Sequence, residues 1–279
     1  MNKQIPVIVT DSTCDLSLQE TEALHVEMLS LKVVFGTEVY EDKRTITNEE
    51  FYQKLESSKA LPTTSLVSVG DFLDTFAQHK QENIVVLTLS AKLSGTYQSA
   101  VVAKEMTGRE DIYIVDTETI SIALGMLVKL AAKLRDEGAS AQQIVAQITE
   151  DAKRLRIYGI FDTLHYLVKG GRLSGFEGFL GSVLALKPIL TIVHGNLSSI
   201  AKARGMDAAI RSLVEILQHT DIIDTNMPVS FAHSGNPVKM LELKRQLKIT
   251  QSDGEYIMGS VVGTHAGPGA IIVAFFIAI

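Results

Sequence analysis

The sequence predicts an α/β fold of two domains, in which a Rossmann-like parallel sheet flanked by helices is followed by an α+β domain. The first domain is expected over residues 1–155 and the second over residues 156–279. In the first, β-branched segments such as "PVIVT" alternate with segments of helical periodicity, a pattern typical of parallel sheets with helices on their faces. Beyond residue 156 this alternation gives way to hairpin-like and glycine-rich segments, which indicate a different architecture.

Helix starts in the first domain are marked by capping pairs, in which a Ser or Thr stands three residues before an acidic or amide side chain. The pairs are Ser17 with Glu20, Thr47 with Glu50, Ser68 with Asp71, and Ser140 with Gln143. The segment "EMLSLKVVFGTEVY" predicts one or two strands with a turn near Gly36. The strands "ENIVVLTLS" and "DIYIVD" are each followed by a predicted helix, "TYQSAVVAKEM" and "ISIALGMLVKLAAKLRDEG".

The second domain is predicted to mix hairpins with amphipathic helices. "YGIFDTLHYLVKGGRLSG" contains a strand, a short helix and a glycine-rich turn. "FEGFLGSVLALKPILTIVHGNLSSIAKARG" predicts a helix and then a hairpin that turns at His194, Gly195 and Asn196. The helices "MDAAIRSLVEILQH" and "PVKMLELKRQL" surround the strand "MPVSFAHSG". The final segment, "EYIMGSVVGTHAGPGAIIVAFFIAI", predicts two strands around a Gly/Pro turn.

Composition excludes several classes of function. The chain of 279 residues is 46% hydrophobic and 21% charged, with a net charge of −6. A general nucleic-acid binder is not expected, because phosphate neutralisation needs a basic face. One cysteine, Cys14, rules out an intramolecular disulfide. The first residues lack the pattern of a signal peptide, and the longest apolar run is too short to span a membrane. We therefore expect a cytoplasmic protein without stable membrane insertion.

Polar side chains recur where the predicted strands end. They are Asp11, Ser12 and Thr13; Thr63, Thr64 and Ser65; Ser94, Gly95 and Thr96; and Thr117, Thr119 and Ser121. Because parallel strands end at one edge of a sheet, these groups are expected to converge on a ligand site. Hydroxyls and helix N-terminal amides together make a neutral site for an anion. For any one loop, the alternative is an N-cap that binds nothing.

Ser94 admits a second interpretation, as the nucleophile of a serine hydrolase that acts on esters with His265 as base. The nucleophile elbow requires G-x-S-x-G, and "KLSGT" lacks the first glycine. The sequence also shows no acid that would orient the histidine. A nucleotide cradle is less well supported, because "LSGT" has one glycine and no following lysine.

Two glycine-rich segments carry the other candidate side chains. "GTHAGPGA" surrounds His265 with small residues, which predicts a tight turn whose imidazole donates to a carboxylate or phosphate. "VKGGRLSG" places Arg172 where it could bond an anion or a loop that holds one. A structural turn and a solvated surface turn are the respective alternatives. No pair of histidines has metal-ligand spacing with a third ligand nearby, so no metal is expected.

A site with many hydroxyls and no acid pair suits the binding of an anionic head group better than acid–base catalysis. The ten phenylalanines and eight methionines would line a long pocket or form core, and composition does not separate these alternatives. A sensor for a sugar or phosphorylated ligand is a further alternative, which predicts a short and wet pocket.

Eight segments occur in order along nearly the whole chain. They are "VTDSTCDL", "PTTSLVS", "LSAKLSGTYQSA", "VDTETISIALG", "TLHYLVKGGRLSG", "LKPIL" with "KARG", "FAHSGNP" and "GTHAGPGA". Together they resemble the DegV family of bacterial fatty-acid-binding proteins. The resemblance implies a two-domain α/β fold with one long-chain fatty acid, of the palmitate, stearate or oleate class, in a buried tunnel between the domains.

The resemblance also implies which residues hold the ligand. Those that would meet the carboxylate are Thr64, Ser65, Ser94, Gly95 and His265. Those that would support the site are Arg172, Thr63 and Thr264. No catalytic residue and no cofactor is implied.

A partner is implied as well. The better-understood family members act in bacteria as the acyl-carrying subunit of fatty acid kinase, in which a separate ATP-dependent protein phosphorylates the bound carboxylate to an acyl phosphate. The basic segment with Lys202 and Arg204 matches the position implicated in docking that partner. One departure concerns "TSLVS", where the family usually shows T-S-Q-P-S. Because Leu66 and Val67 replace Gln and Pro, the head-group loop is expected to be shaped differently.

Overall fold

The computed structural model describes residues 5–173, 186–220, 222–250 and 252–278. The strands in these ranges are β1 (Val7–Asp11), β2 (Val26–Leu29), β3 (Lys32–Phe35), β4 (Glu38–Glu41), β5 (Thr63–Ser65), β6 (Ile84–Thr88), β7 (Ile112–Asp116), β8 (Leu155–Ile160), β9 (Leu186–Val193), β10 (Asn196–Arg204), β11 (Val229–His233), β12 (Gly254–Ile257) and β13 (Ile271–Phe276). The α-helices are α1 (Leu18–Ala23), α2 (Asn48–Ser57), α3 (Val69–Gln78), α4 (Thr96–Thr107), α5 (Ile122–Asp136), α6 (Ala141–Arg154), α7 (His165–Lys169), α8 (Met206–Thr220), α9 (Pro237–Gln246) and α10 (Ser260–Ala266).

The parallel sheet predicted for the first domain is confirmed. Its strand order is β2-β1-β6-β7, and all its pairings are parallel. One face packs against α5 and α6 through a core that includes Ile8 and Leu87. The opposite face packs against α3 and α4 through Phe72 and Phe76. The loops after β1, β6 and β7 leave the sheet at one edge, where ligands bind in sheets of this kind.

All four predicted capping boxes form. Each Ser or Thr accepts a hydrogen bond from the backbone N–H three residues on, and the acidic or amide side chain there accepts one in return. These local hydrogen bonds fix where α1, α2, α3 and α6 begin, because each satisfies helix N–H groups that lack an intrahelical partner. Helix starts were therefore the most readily predicted feature of this chain.

A three-stranded antiparallel sheet, in the order β4-β3-β5, adjoins the parallel sheet. The segment predicted as one or two strands forms three, with the turn at Gly36. The prediction for Thr63–Ser65 is also wrong. These residues form β5, whereas a loop after a parallel strand was expected. Thr64 pairs with Val33 across the ladder, which suits the β-branched threonines.

The second sheet has six strands in the order β10-β9-β8-β13-β11-β12. It is antiparallel except for the pairing of β11 with β12. Side chains alternate across a strand, so Tyr158 and Ile160 of β8 join a core with α8 and α9. Ile157 and Gly159 lie on the other face, where Ile157 belongs to the apolar cluster that also contains Ile8 and Leu87 of the parallel sheet. This mixed sheet confirms the α+β character of the second half.

The segment between β12 and β13 differs from the prediction. Both strands form, but α10 lies between them where a Gly/Pro turn was expected, so His265 is in the last turn of a helix. Two carboxylates distant in sequence bind the start of α10. The Gly259 N–H donates to Asp15 Oδ1 at 2.8 Å, and the Ser260 N–H donates to Asp42 Oδ1 at 2.9 Å. Such long-range caps leave no signature in the local sequence.

The predicted β9–β10 hairpin is confirmed, with its turn at His194 and Gly195, both of which have positive φ. The Ser90 hydroxyl donates to the Gly195 carbonyl at 2.8 Å, so the tip of the hairpin is attached to the loop after β6. The helix predicted just before this hairpin lies outside the described residues.

One apolar cluster spans both halves of the chain. It includes Leu87 and Val128 from the first half and Leu190, Ile272 and Phe276 from the second. The division into domains at residue 155 therefore stays a prediction. The parallel and three-stranded sheets lie before that point, and the six-stranded sheet begins at Leu155.

Candidate functional site

A cavity of about 270 Å³ lies between the edge of the parallel sheet and the six-stranded sheet. Its volume is far above the roughly 10–15 Å³ that one water molecule needs. The loops after β6 and β7, the strand β5 and the helix α10 supply one part of the wall. The facing part comes from β8, β9, β10 and β13 of the six-stranded sheet.

The six-stranded sheet gives the cavity an apolar floor. Gly159 is in register with Leu190 on one side and with Ile272 on the other, and all three residues line the cavity. Ile157 lies two residues before Gly159 on the same face, and Phe161 lies two residues after it. A methyl group at Gly159 would come within 2.7 Å of the Phe161 ring. The missing side chain therefore lets Phe161 and Ile272 pack closely against the backbone at the centre of the floor.

Six of the eight residues predicted to hold or support a carboxylate line this cavity. They are Thr64, Ser65, Ser94, Gly95, Arg172 and His265. The structure does not bring the other two to it. Thr63 is exposed on β5. Thr264 is buried on α10, where its hydroxyl donates to the Ser260 carbonyl.

Contacts of His265 with Thr64 and of Leu66 with Gly95 bring most of the predicted carboxylate-binding residues together at what we call the polar end of the cavity. Ser65, Leu66 and Gly95 are exposed there, so this end borders solvent. Gly95 directly precedes α4 and occupies its N-cap position. Its backbone lies at the positive end of that helix dipole. The geometry thus combines hydroxyls, a helix N-terminus and an opening, which suits an anionic head group.

His265 contacts Thr64 within this polar end. Its Nε2 lies 2.9 Å from Thr64 Oγ1, whereas Nδ1 is buried and finds no hydrogen-bond partner among the described residues. Gly170 faces this nitrogen, and a side chain there would collide with the imidazole. Burial lowers the pKa of His265 to about 4, with a further contribution from the Arg172 guanidinium. The ring is therefore neutral at physiological pH.

Arg172 joins the loops around the cavity. Its Nε donates to the Leu93 carbonyl at 3.1 Å, and its Nη1 donates to the Gly170 carbonyl at 2.6 Å. One guanidinium thus connects the turn that faces His265 with the residue before Ser94. Partial burial lowers its pKa from the ordinary value. The supporting role of Arg172 stays a prediction, and the structure places its guanidinium beside the loop that carries Ser94.

The Ser94 hydroxyl bonds locally. It lies 3.0 Å from Thr96 Oγ1 and accepts from the Thr96 N–H at 3.3 Å. Among the described residues it makes no hydrogen bond to His265, which contacts Thr64 instead. A serine nucleophile needs its base within hydrogen-bond reach, so the serine hydrolase alternative finds no support.

The segment that departs from the DegV pattern lies at the opening. Leu66 lines the cavity with 39% of its surface exposed. Its Cδ2 is 2.9 Å from the point where a side chain on Gly95 would begin, so it covers that glycine closely. Val67 is fully buried, and its N–H donates to Thr96 Oγ1 at 3.4 Å.

Buried carboxylates hold the loops that frame the site. Asp11 accepts from the Leu89 N–H at 2.8 Å, and Asp15 accepts from the Ser121 hydroxyl as well as from Gly259. Burial raises the pKa of Asp11 and of Asp15 to about 6. Leu89 and Ser121 both line the cavity. Asp11 and Asp15 therefore stabilise the loops that line the cavity, but they do not line it themselves.

Sequence reasoning named Thr96 and Val67 but missed the network that they form behind Ser94. This contact between distant segments has no local signal. Gly159 was also missed, although a lone glycine within the apolar segment "RIYGIF" is a recognised sign of close packing or a needed space.

Lys202 and Arg204, the predicted docking residues, lie exposed on β10, away from the cavity lining. Within the ranges described above, no group of three His, Cys, Asp or Glu side chains is arranged to hold a metal ion. Over the same ranges, every helix is too short or too polar to cross a membrane.

Comparison with known proteins identifies relatives that span nearly the whole chain. Residues 6–278 match the family described as "Uncharacterised protein, DegV family". A relative from Thermotoga maritima, named a fatty acid-binding protein, is 33% identical over 279 residues, which cover 95% of each chain.

Two solved structures show the same fold. A DegV family protein from Thermus thermophilus, described for its fatty acid binding, superposes with a TM-score of 0.85 at 30% identity, covering 97% of this chain and 99% of its own. DegV of Bacillus subtilis, described as a fatty acid binding protein, superposes with a TM-score of 0.85 at 28% identity, covering 99% and 100%. The chain belongs to the DegV family.

Proposed function

We propose that the protein binds one long-chain fatty acid in the cavity between the two sheets. The carboxylate would lie at the polar end, next to Thr64, Ser65, Ser94, Gly95 and His265. The acyl chain would lie along the apolar floor that β8, β9 and β13 provide. The observation that carries this proposal is a single cavity with hydroxyls at its open end and an apolar floor.

The energetics agree with this assignment. Removing a carboxylate from water is costly unless it accepts several hydrogen bonds. The Thr64 and Ser94 hydroxyls and the backbone at the start of α4 supply donors. Burial of an acyl chain contributes on the order of 0.8 kcal/mol per methylene. A neutral His265 fits this arrangement, because its Nε2–H can donate to Thr64 Oγ1 while the Thr64 hydroxyl donates to the ligand.

The relatives support the same ligand class. Proteins from Thermotoga maritima, Thermus thermophilus and Bacillus subtilis are each described as binding fatty acids. We extend that ligand class to this chain and propose acids of the palmitate, stearate or oleate class. Among the described residues that line the cavity, no acid and base form a pair that could transform the ligand. We therefore propose a binding protein without catalysis of its own.

Equilibrium binding tests the ligand assignment. Delipidated protein would be titrated with radiolabelled palmitate, stearate and oleate, and with glucose 6-phosphate as a short, wet comparison ligand. We expect one mole of fatty acid per mole of protein and no uptake of the sugar phosphate. Uptake of the sugar phosphate without uptake of any of the three fatty acids would contradict the proposal.

We further propose that a separate ATP-dependent kinase in the bacterial cytoplasm phosphorylates the bound acid. Lys202 and Arg204 are two residues apart on β10 and both exposed, so they point to the same side. Leu197 of the same strand lines the cavity. An acidic surface of the kinase that docks on Lys202 and Arg204 would therefore contact a strand that also lines the ligand cavity.

The docking proposal is tested with Arg204→Ala, and with Arg211→Ala on the exposed side of α8 as the matched control. We expect Arg204→Ala to retain bound fatty acid but to slow acyl phosphate formation by an added fatty acid kinase, with Arg211→Ala unchanged. Equal rates for the wild type and both variants would show that the partner docks elsewhere.

A further inference from the structure

We infer that Thr96 is a positioning residue that directs the hydroxyl proton of Ser94 into the cavity, where an anionic oxygen of the ligand accepts it. The inference rests on the proposed function, because it concerns how the same site holds a carboxylate. Thr96 itself does not line the cavity, whereas Ser94 does. Its effect on a ligand would therefore pass through Ser94.

Thr96 is fully buried at the start of α4. Among the described residues its hydroxyl oxygen has two neighbours with which it can bond, the Val67 N–H at 3.4 Å and Ser94 Oγ at 3.0 Å. A backbone N–H can only donate, so Thr96 Oγ1 is the acceptor in the first contact. The direction of the second contact decides where both hydroxyl protons lie.

Only one direction satisfies the buried hydroxyl of Thr96. If Ser94 donated to Thr96, the Thr96 proton would be left in a buried environment with no acceptor among the described residues, which is unfavourable. If Thr96 donates to Ser94, its proton is bonded. Ser94 Oγ then accepts twice, from the Thr96 hydroxyl and from the Thr96 N–H at 3.3 Å.

The consequence is a pre-oriented donor. With its lone pairs occupied by Thr96, Ser94 has its own proton free on the side that faces the cavity. A donor held in place before the ligand arrives loses little freedom on binding. Bonds in such a chain also polarise one another, which strengthens the last donor. The reverse direction is disfavoured because the described residues offer the buried Thr96 proton no acceptor other than Ser94 Oγ.

A double-mutant cycle tests this coupling with palmitate as the probe. Thr96→Val removes the hydroxyl with little change in shape, and Thr96→Ser keeps the hydroxyl. In the wild-type background we expect Thr96→Val to weaken palmitate binding roughly two- to tenfold, the range for one neutral hydrogen bond, and Thr96→Ser to bind within about twofold of the wild type. In the Ser94→Ala background, Thr96→Val should have no further effect.

The outcomes are separable from those of the proposed function. An equal loss from Thr96→Val in both backgrounds would overturn the inference, because a general structural defect does not depend on Ser94. So would an unchanged affinity in the wild-type background. If Thr96→Val does not fold, Thr96→Ala is measured in the same cycle. A wild-type protein that takes up no palmitate would overturn both proposals, whereas binding with additive effects overturns the role of Thr96 alone.

Discussion

Thr64 Oγ1 and His265 Nε2 lie 2.9 Å apart, although the two residues are 201 positions apart in the sequence. The contact joins an edge strand of the small antiparallel sheet to the helix between β12 and β13. In the tautomer with a proton on Nε2, the imidazole donates to the Thr64 hydroxyl oxygen, which would leave the hydroxyl proton available to a ligand.

Thr64→Val should weaken fatty acid binding. A hydrogen bond to a charged group contributes about 1.5–3 kcal/mol, so we expect a loss of roughly ten- to a hundredfold in palmitate affinity, measured by equilibrium dialysis. Thr63→Val is the matched control, because Thr63 is exposed on the same strand and does not line the cavity. Equal affinities for the two variants would contradict the assignment of Thr64.

Palmitate binding should show no histidine transition between pH 5.5 and 8. Burial lowers the pKa of His265 from 6.5 to about 4, so the folded protein keeps a neutral imidazole throughout that range. The stability that depends on this neutral ring is complete above pH 6.5 and is lost as pH falls toward 4, because the unfolded chain takes up its proton first.

The measurement for His265 is the palmitate dissociation constant as a function of pH, for the wild type and for His265→Gln. We expect the two curves to run parallel, with weaker binding by the variant. An inflection near pH 6.5 that is present in the wild type and absent from His265→Gln would show that the imidazole titrates in the folded protein.

Gly159→Ala should shift the preference toward shorter acids. The added methyl would come within 2.7 Å of Phe161 and 2.8 Å of Ile272, so the floor must rise into the cavity. We expect palmitate affinity to fall more than that of an acid with fewer methylenes, since each methylene is worth on the order of 0.8 kcal/mol. Gly70→Ala on α3 is the control, because its methyl would meet little beyond Ser68 Oγ at 3.6 Å. An unchanged chain-length profile would contradict this role for Gly159.

Asp15→Asn should reduce the pH dependence of stability. The folded pKa of Asp15 is raised from 3.8 to about 6, so the folded state binds the proton more tightly than the unfolded state. Its contribution to stability therefore falls as pH rises from about 4 to about 6. The shift corresponds to at most about 3 kcal/mol.

Denaturant unfolding at pH 4 and pH 7 measures this effect. Asp15 lowers the free energy of unfolding of the wild type as pH rises from 4 to 7. Asp15→Asn lacks this contribution, so its free energy of unfolding should fall less over the same pH range, or rise more. An identical change in the two proteins would mean that Asp15 titrates normally in the folded state.

Local rules predicted much of the fold. The capping pairs at Ser17, Thr47, Ser68 and Ser140 placed four helix starts, because each cap is formed by residues within one turn. Alternation of apolar strands with helices predicted the parallel sheet. The hairpin turn at His194 and Gly195 was equally local.

Contacts between distant segments account for the errors. The start of α10 is held by Asp15 and Asp42, which lie more than two hundred residues earlier. Thr63–Ser65 becomes a strand because β3 is available beside it. Six of the eight predicted head-group and supporting residues do line one cavity. Their role was suggested by resemblance to a family, and the network behind Ser94 required the structure.

Solvent extraction of the freshly purified protein, followed by mass spectrometry against a matched blank, tests the central proposal most directly. We predict about one mole of long-chain fatty acid per mole of wild-type protein, and a reduced amount from a Thr64→Val/Ser94→Ala double variant. No long-chain acid in the wild-type extract, together with no uptake of added palmitate or oleate, would contradict the account.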